Sequence, residues 1–331
     1  MSYLSAETSG PKNFRALLLA ARDLISAGRL DEARQTLDAL RADAEAMKSR
    51  ALGEMTLLGY PRKLHSAYLK LAKAERDIVR RVGLQHSLVP PPQAMAALGL
   101  FDPAERRVMT ELARAPVPRI IHQIWLGTLP VPPSVERWAI HAEKTGFEYR
   151  LWREADLEKL GADAHPSYLR MLEIGDYPGA VDIARYAILQ ALGGIYLDCD
   201  WYPTRDDLGF ADLLPLIGLG AMAEAVPRET GFGSLLLANS FIATPPGHPV
   251  FKRMLQTIPD IVAALPDAPA WWSTGPLAMT VAFRQTSTFV APADLVAAEL
   301  SRGAPMSDVE AACKAAVSGG GDGLLIAWKS W

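Results

Sequence analysis

The stretch Pro178–Trp201, P-G-A-V-D-I-A-R-Y-A-I-L-Q-A-L-G-G-I-Y-L-D-C-D-W, decides how the rest of the chain is read. Pro178 sits where a first helical turn tolerates a residue without an N–H, and Gly193-Gly194 sits where a helix stops. Between them Ala180, Val181, Ala184, Ala187, Ile188 and Ala191 recur at helical spacing, so one face of the predicted helix is built for a core. Asp182 and Arg185 fall on another face, one turn apart, with Tyr186 beside them. After the glycines, Ile195–Asp198 reads as a short strand. If the backbone stays extended to Asp200, the side chains of Tyr196, Asp198 and Asp200 point the same way. Two carboxylates leaving a strand together make a hard-cation site, suited to Mn2+ or Mg2+ that also holds a phosphate.

Outward from that stretch, 331 residues, half of them apolar, are enough for a large core and for two domains. The net charge of −3 argues neither for nor against nucleic acid. Its distribution is uneven: 18 Lys and Arg against 13 Asp and Glu up to Pro118, then 16 against 24. Only Cys199 and Cys313 are present, which gives neither a disulfide framework nor a zinc spacing. With no secretory signal and no apolar run near 18 residues, the expectation is a soluble protein of a reducing compartment.

Residues 11 to about 114 read as wholly helical. Ala27–Ala33, with Leu37 and Leu40, resembles the turn of a tetratricopeptide repeat, but no second copy follows, so a lone helical hairpin is expected. Residues 62–82 read as one basic helix with an apolar stripe of Leu64, Ala67, Tyr68, Leu71, Ala74 and Ile78. Such a helix suits peripheral contact with an anionic membrane or an acidic partner, or is an ordinary solvated face. No nucleic-acid motif accompanies it, which argues against nucleic acid as a partner. The prolines at 90–92 and 116–118 read as hinges, and the expected division is a helical domain, 1–117, followed by a second domain, 118–331.

The second domain alternates. Arg119–Gly127 reads as a buried strand, Ser134–Lys144 as a helix and Phe147–Trp152 as a strand, and two short helices then precede the organising stretch. Leu235–Ala243 reads as another strand, Gly247-His248-Pro249 and Thr274-Gly275-Pro276 each open a helix, and Leu324–Trp331 closes the chain as a strand. The fold class is therefore α/β with a mostly parallel sheet. Such sheets bind ligands at the carboxyl ends of their strands, where Trp125 and the Asp198/Asp200 pair both fall. Neither a phosphate-binding P-loop nor a G-x-G-x-x-G is present.

From Arg119 to Trp331 the chain resembles the family-32 glycosyltransferases, the group with the D-x-D sugar-binding region. That group contains fungal mannosyltransferases and bacterial capsule and lipopolysaccharide sugar transferases, with the clostridial glucosylating toxins as distant relatives. The matching pieces are Pro118–Gly127, Tyr149–Trp152, Ala180–Asp200, Asn239–Ala243 with His248-Pro249, Thr274-Gly275-Pro276 and Ser330-Trp331. They occur in the family's order and leave 1–117 uncovered. The resemblance implies a GT-A fold and retaining transfer of a hexose from a nucleotide-diphosphate sugar, UDP- or GDP-linked, with a divalent metal. Carried over by position, Trp125 would stack on the base and Tyr196 would flank the nucleotide. Asp182 and Arg185 would hold the sugar hydroxyls and the diphosphate side, with Asn239 beside the sugar or acceptor. Asp198 would contact ribose, sugar or metal-bound water, Asp200 would ligate the metal, and Ser330 and Trp331 would close over the β-phosphate, Ser330 reaching the metal.

One departure stands out: where the family commonly has a histidine before the terminal Ser-Trp, this chain has Ala327-Trp328-Lys329. Lys329 would then either supply charge to a phosphate or simply face solvent. The expected setting is cytoplasmic, at the inner face of a bacterial membrane, in surface polysaccharide synthesis with a glycan or lipid-linked acceptor. Gly218–Ser234, with Glu224, Arg228 and Glu229, reads as the loop that selects sugar or acceptor. Two other readings stay open: a non-catalytic binding or scaffold protein acting through the helical N-terminal domain, and a metal-dependent nucleotidyltransferase.

Overall fold

The Gly193-Gly194 junction works as its sequence requires. In the computed structural model, which describes residues 13–56, 58–87, 92–223, 236–266 and 268–331, both glycines have positive φ, +63° and +96°. A Cβ on Gly194 would stand 2.7 Å from the Ile120 carbonyl oxygen, so only glycine lets the strand that follows lie this close to its neighbour.

Described residues up to 87 form one compact unit and those from 92 onward a second. The first contains α1 (Phe14–Ser26), α2 (Leu30–Ala42), α3 (Ala44–Lys48), α4 (Arg62–Ala74) and α5 (Ile78–Ser87). The expected hairpin is α1–α2, turned at Gly28 with φ +74°. Leu18, Ile25, Leu37, Leu64, Tyr68 and Leu71 are buried in its core. The single helix expected over 62–82 is two helices. Arg76 adopts φ +58°, and the Asp77 N–H bonds back to the Ala72 carbonyl at 3.1 Å, closing α4 with a left-handed cap. The Asp77 carboxylate then accepts from the Arg80 N–H at 2.9 Å and starts α5. The apolar stripe runs on across the break, which is why periodicity alone shows one helix. Of the expected proline hinge, residues 90 and 91 lie outside the described residues.

In the second unit the described elements are α6 (Pro103–Leu112), β1 (Ile120–Ile124), α7 (Pro133–Thr145), β2 (Glu148–Trp152), α8 (Glu154–Leu160), α9 (Pro166–Glu173), α10 (Tyr177–Leu192) and β3 (Gly194–Leu197). They continue as β4 (Trp201–Pro203), α11 (Phe210–Leu213), β5 (Leu219–Ala223), β6 (Leu237–Thr244), α12 (Pro249–Ala264), α13 (Ala270–Ser273) and α14 (Pro276–Phe283). The chain ends with β7 (Thr288–Ala291), β8 (Val296–Glu299), α15 (Met306–Ser318) and β9 (Leu325–Ala327). Residues 92–117 pack within this unit: Arg253 of α12 pairs with Glu105 of α6 at 2.8 Å, and its guanidinium lies 5.5 Å from the Phe101 ring.

The main sheet has the order β2-β1-β3-β6-β5-β7. β6 is antiparallel to both its neighbours, and the other five strands run one way, so the sheet is mostly parallel. Alternation along β1 and β3 sends Ile121, Ile195 and Leu197 into a core with Trp138 and Phe210, whose rings stack 5.6 Å apart. Tyr196 points to the opposite face, toward α10. A second sheet, β4-β9-β8, joins Trp201–Pro203 to Leu325–Ala327. The terminal strand therefore stops before its two tryptophans: Trp328 is buried, and Trp331 is left to reach the site.

Candidate active site

β3 ends at Leu197, and the chain turns through Asp198, Cys199 and Asp200, with the Trp201 N–H donating to the Asp198 carbonyl at 3.3 Å. The extended backbone considered up to Asp200 does not occur. Both carboxylates still line one cavity because the turn is tied on every side. The Asp198 N–H donates to the Ser240 carbonyl (2.9 Å), and Gln123 Nε2, itself held by Tyr149, donates to the Asp198 carbonyl (3.1 Å). The Ser134 hydroxyl donates to the Cys199 carbonyl, Cys199 Sγ to the Ile124 carbonyl, and the Trp328 N–H to the Asp200 carbonyl at 2.7 Å. With Cys199 turned into the core and its thiol pushed up by burial, the two aspartates face outward.

The cavity has a volume of about 370 Å3. Arg185, Tyr196, Asp198 and Asp200 line it together with Trp125, Trp331 and Lys329. The Trp125 and Trp331 rings meet edge to face with centroids 4.8 Å apart, and the Lys329 ammonium lies 5.3 Å from the Trp331 ring. Trp125 Nε1 is spent on the Leu129 carbonyl (2.9 Å), which leaves only ring surface for a ligand.

Arg185 is the centre of the buried charge network. Its Nη2 stands 3.1 Å from both Asp182 Oδ1 and Asp198 Oδ1, its Nη1 donates to the Asn239 carbonyl, and its guanidinium lies 4.4 Å over the Tyr196 ring. Burial opposes its charge, but Asp198, Tyr196 and Asp182 hold it raised. Asp198 Oδ1 also accepts from the Tyr196 hydroxyl at 2.8 Å. Asp182 and Asn239 do not line the cavity; they stand behind it. Asp182 Oδ2 accepts from Thr274 Oγ1 and its Oδ1 from Asn239 Nδ2, both at 2.7 Å. Burial, opposed by Arg185, pushes the Asp182 carboxyl up to about 6. Ser330 also lies off the lining, although its neighbours Lys329 and Trp331 are on it.

Asp200 is held differently. Burial and then the like charge of Asp198 push its carboxyl up to about 6, with Lys329 pulling the other way. Among the described residues, neither Asp198 Oδ2 nor the Asp200 carboxylate accepts a side-chain hydrogen bond. Two crowded carboxylates with unspent oxygens fit a hard divalent cation of the Mn2+ or Mg2+ kind. No third His, Cys, Asp or Glu joins them among the described residues, so phosphate oxygens and water would complete the shell.

The matching segments are also locked to each other. Trp152 Nε1 donates to His122 Nδ1 (3.1 Å), and His122 Nε2 donates to the Gly193 carbonyl (2.9 Å). Burial lowers His122 to about 4, so it stays neutral and structural. His248, also lowered by burial to about 4, caps α12 through the Val250 N–H. Tyr177, which the sequence reading passed over, lines the cavity against Gly127, where a Cβ would meet its ring at 3.3 Å. Its position one residue before Pro178 was the available signal. Glu224, Arg228 and Glu229 lie outside the described residues.

Residues 131–212 match the family described as a glycosyltransferase sugar-binding region containing a DXD motif. An uncharacterized glycosyltransferase of Acanthamoeba polyphaga mimivirus is 34% identical over 147 residues, 43% of this chain and 55% of that protein. Inositol phosphoceramide mannosyltransferase 3 of Schizosaccharomyces pombe is 30% identical over 50% of this chain and 45% of its own length. A mannosyl phosphorylinositol ceramide synthase of Saccharomyces cerevisiae is 29% identical, over 51% and 42%. The chain thus spans about half the length of the curated relatives it matches. The solved PaToxG glycosyltransferase has a TM-score of 0.42 and 22% identity, over 58% of this chain and 78% of that one. The matched span contains Arg185, Tyr196, Asp198 and Asp200, which meet in the cavity. Residues 131–212 are thus similar to the sugar-binding region of the DXD-containing glycosyltransferases, and the chain's D-x-D, Asp198 and Asp200, lies within that match.

Proposed function

We propose that this chain moves a hexose-type sugar from a UDP- or GDP-sugar to a hydroxyl of a glycan, lipid-linked or protein acceptor, with retention at the anomeric carbon, and that residues 118–331 carry the chemistry. One observation supports this best. Asp198 and Asp200 share a single cavity with the Trp125–Trp331 ring pair, so carboxylates for a hard cation and a flat ring surface for a base stand side by side. A diphosphate bridges those two needs chemically.

In this reading Asp198 and Asp200 would hold the divalent cation, which when bound would supply charge that stabilises the leaving diphosphate, and Ser330 would have to turn inward to join them. Trp125 stacks on the base, with Trp331 closing from the edge. Tyr196 and Arg185 fix the Asp198 carboxylate, and Asp182 and Asn239 fix Arg185 from behind. Asp198 and Asp200 are the only side-chain carboxylates of the described cavity lining, and both are assigned to the cation, so among the described residues no further carboxylate faces the sugar as base or nucleophile. That supports a front-side transfer. The bond from the anomeric carbon to the diphosphate breaks, the acceptor oxygen bonds on the same face, and a leaving phosphate oxygen takes the acceptor's proton.

Viral and fungal proteins are among the matched relatives, so the bacterial setting expected from the sequence forms no part of this reading. No helix among the described residues is long and apolar enough to cross a membrane. The cations of α4 and α5 support peripheral contact with an anionic surface as part of the same proposal.

The test is turnover of UDP-glucose, UDP-galactose and GDP-mannose followed by NMR, with and without Mn2+. The expected result is metal-dependent release of the nucleotide diphosphate, and acceptor products that keep the donor's anomeric configuration. Inverted products, or a sugar trapped on a carboxylate, would remove the front-side mechanism. Absence of turnover with every donor would remove the transferase reading.

A further inference from the structure

Two cationic side chains line the described part of the cavity, Arg185 and Lys329, and they are not equivalent. The family resemblance implies that Arg185 holds the diphosphate side. Its geometry says otherwise, because each of its nitrogens is already engaged by protein. Nη2 is shared between Asp182 and Asp198 at 3.1 Å each, Nη1 is on the Asn239 carbonyl, and Nε leans on the Val181 carbonyl at 3.5 Å. The Tyr196 ring fills the space at 4.4 Å from the guanidinium carbon. Freeing a donor for a phosphate would leave a buried carboxylate without its partner, which is costly.

Lys329 is in the opposite state. Its backbone is fixed: its carbonyl accepts from the Gly303 N–H at 2.8 Å, and the preceding Trp328 N–H is tied to the Asp200 carbonyl at 2.7 Å. Its ammonium forms no ion pair among the described residues and rests over the Trp331 ring at 5.3 Å. It lies on the same wall as Asp200 and Trp331, and it is exposed, so its three N–H donors are available to a ligand. An anchored stem with an uncommitted head, beside two carboxylates that would hold a cation, is the arrangement of a phosphate-binding lysine.

Resting on the nucleotide-sugar reading of this cavity, we propose that Lys329 binds the diphosphate of the donor directly, and that it, rather than Arg185, is the protein cation that takes up the charge developing on the leaving group. The neutral histidine expected at this end of the chain is then replaced by a fixed positive charge, and part of the affinity for diphosphate is independent of the metal.

The test is calorimetric titration of the full chain with UDP, GDP, UMP and GMP, each with Mn2+ and with a chelator, for wild type, Lys329→Ala and Lys329→Arg. A charge-assisted hydrogen bond to phosphate predicts that Lys329→Ala weakens the preferred diphosphate by about tenfold or more, with and without Mn2+, while the matching monophosphate changes by less than about twofold. Lys329→Arg, which keeps the charge, retains the preference for diphosphate. If Lys329→Ala binds diphosphates as wild type does, or weakens mono- and diphosphate equally, the inference is wrong while the nucleotide-sugar reading stands. If wild type binds none of the four nucleotides, that reading fails and takes the inference with it.

Discussion

Arg185 Nη2 lies 3.1 Å from Asp198 Oδ1, and this one ion pair makes the two halves of the D-x-D unequal. Asp198 has one oxygen committed to Arg185 and the Tyr196 hydroxyl, so it is part of the framework as well as of the cavity. Asp200 has no such partner and is held against its neighbour's charge. The two aspartates should therefore separate when each is replaced. Asp198→Ala leaves Arg185 with Asp182 alone and should lower stability by about 1–2 kcal/mol, discounted because Asp198 is 30% exposed. Asp200→Asn should not destabilise the ligand-free protein at all. Chemical denaturation of both variants measures the difference.

The pH dependence of Asp200 has a definite sign. Its carboxyl is raised from 3.8 to about 6, so the folded chain binds that proton more tightly than the unfolded one. The stability this contributes is present below about pH 4 and is lost as pH rises through about 6. Asp200→Asn lacks the effect. It should match wild type near pH 4 and exceed it by about 1–3 kcal/mol at pH 7.5, as followed by thermal melting across that range.

The Thr274 side chain joins the network behind the site at Asp182, whose Oδ2 accepts its hydroxyl at 2.7 Å. Thr274→Val keeps the shape and removes the bond, leaving a buried carboxylate oxygen unpaired. A loss of about 1–3 kcal/mol is expected, together with a lower kcat/KM for donor as Arg185 and Asp198 loosen. Denaturant midpoints and steady-state kinetics on one preparation test both halves.

Gly194→Ala should be among the most damaging single changes in this unit. The residue has φ +96°, and a Cβ would lie 2.7 Å from the Ile120 carbonyl oxygen and 2.9 Å from His122 Nε2. Backbone strain and the forced parting of β1 and β3 together predict a loss of about 3 kcal/mol or more. A soluble variant with an unchanged melting temperature would contradict the packing described for this junction.

How far the sequence could be read follows from which signals are local. Pro178, the glycine pair and the apolar positions between them lie within one helix length, and α10 and β3 stand where they place them. The mostly parallel sheet was equally legible, because each helix between its first strands has its own periodicity. The break at Arg76 was not: a non-glycine residue in the left-handed region interrupts a stripe that reads as continuous. Nor was the second sheet, whose three-residue strand at Trp201–Pro203 pairs with Leu325–Ala327 far along the chain and is too short to show a period. At the site, Trp125, Arg185, Tyr196, Asp198, Asp200 and Trp331 line one cavity. The withdrawal of Asp182 behind the cavity depends on the Thr274 contact, which no local spacing reveals.

The most direct measurement of the central claim is the melting temperature of wild type and Asp200→Ala with UDP, GDP and their sugars, each with and without Mn2+. A ligand that binds only the folded chain raises its stability by RT ln(1 + [L]/Kd), so about a hundredfold excess over Kd adds about 2.7 kcal/mol. A nucleotide-diphosphate site at Asp198 and Asp200 predicts a Mn2+-dependent rise in wild type for one base, and none in Asp200→Ala. No shift in wild type with any nucleotide and metal, or an equal shift in Asp200→Ala, would contradict the assignment of this cavity and turn attention to the helical unit as the working part of the chain.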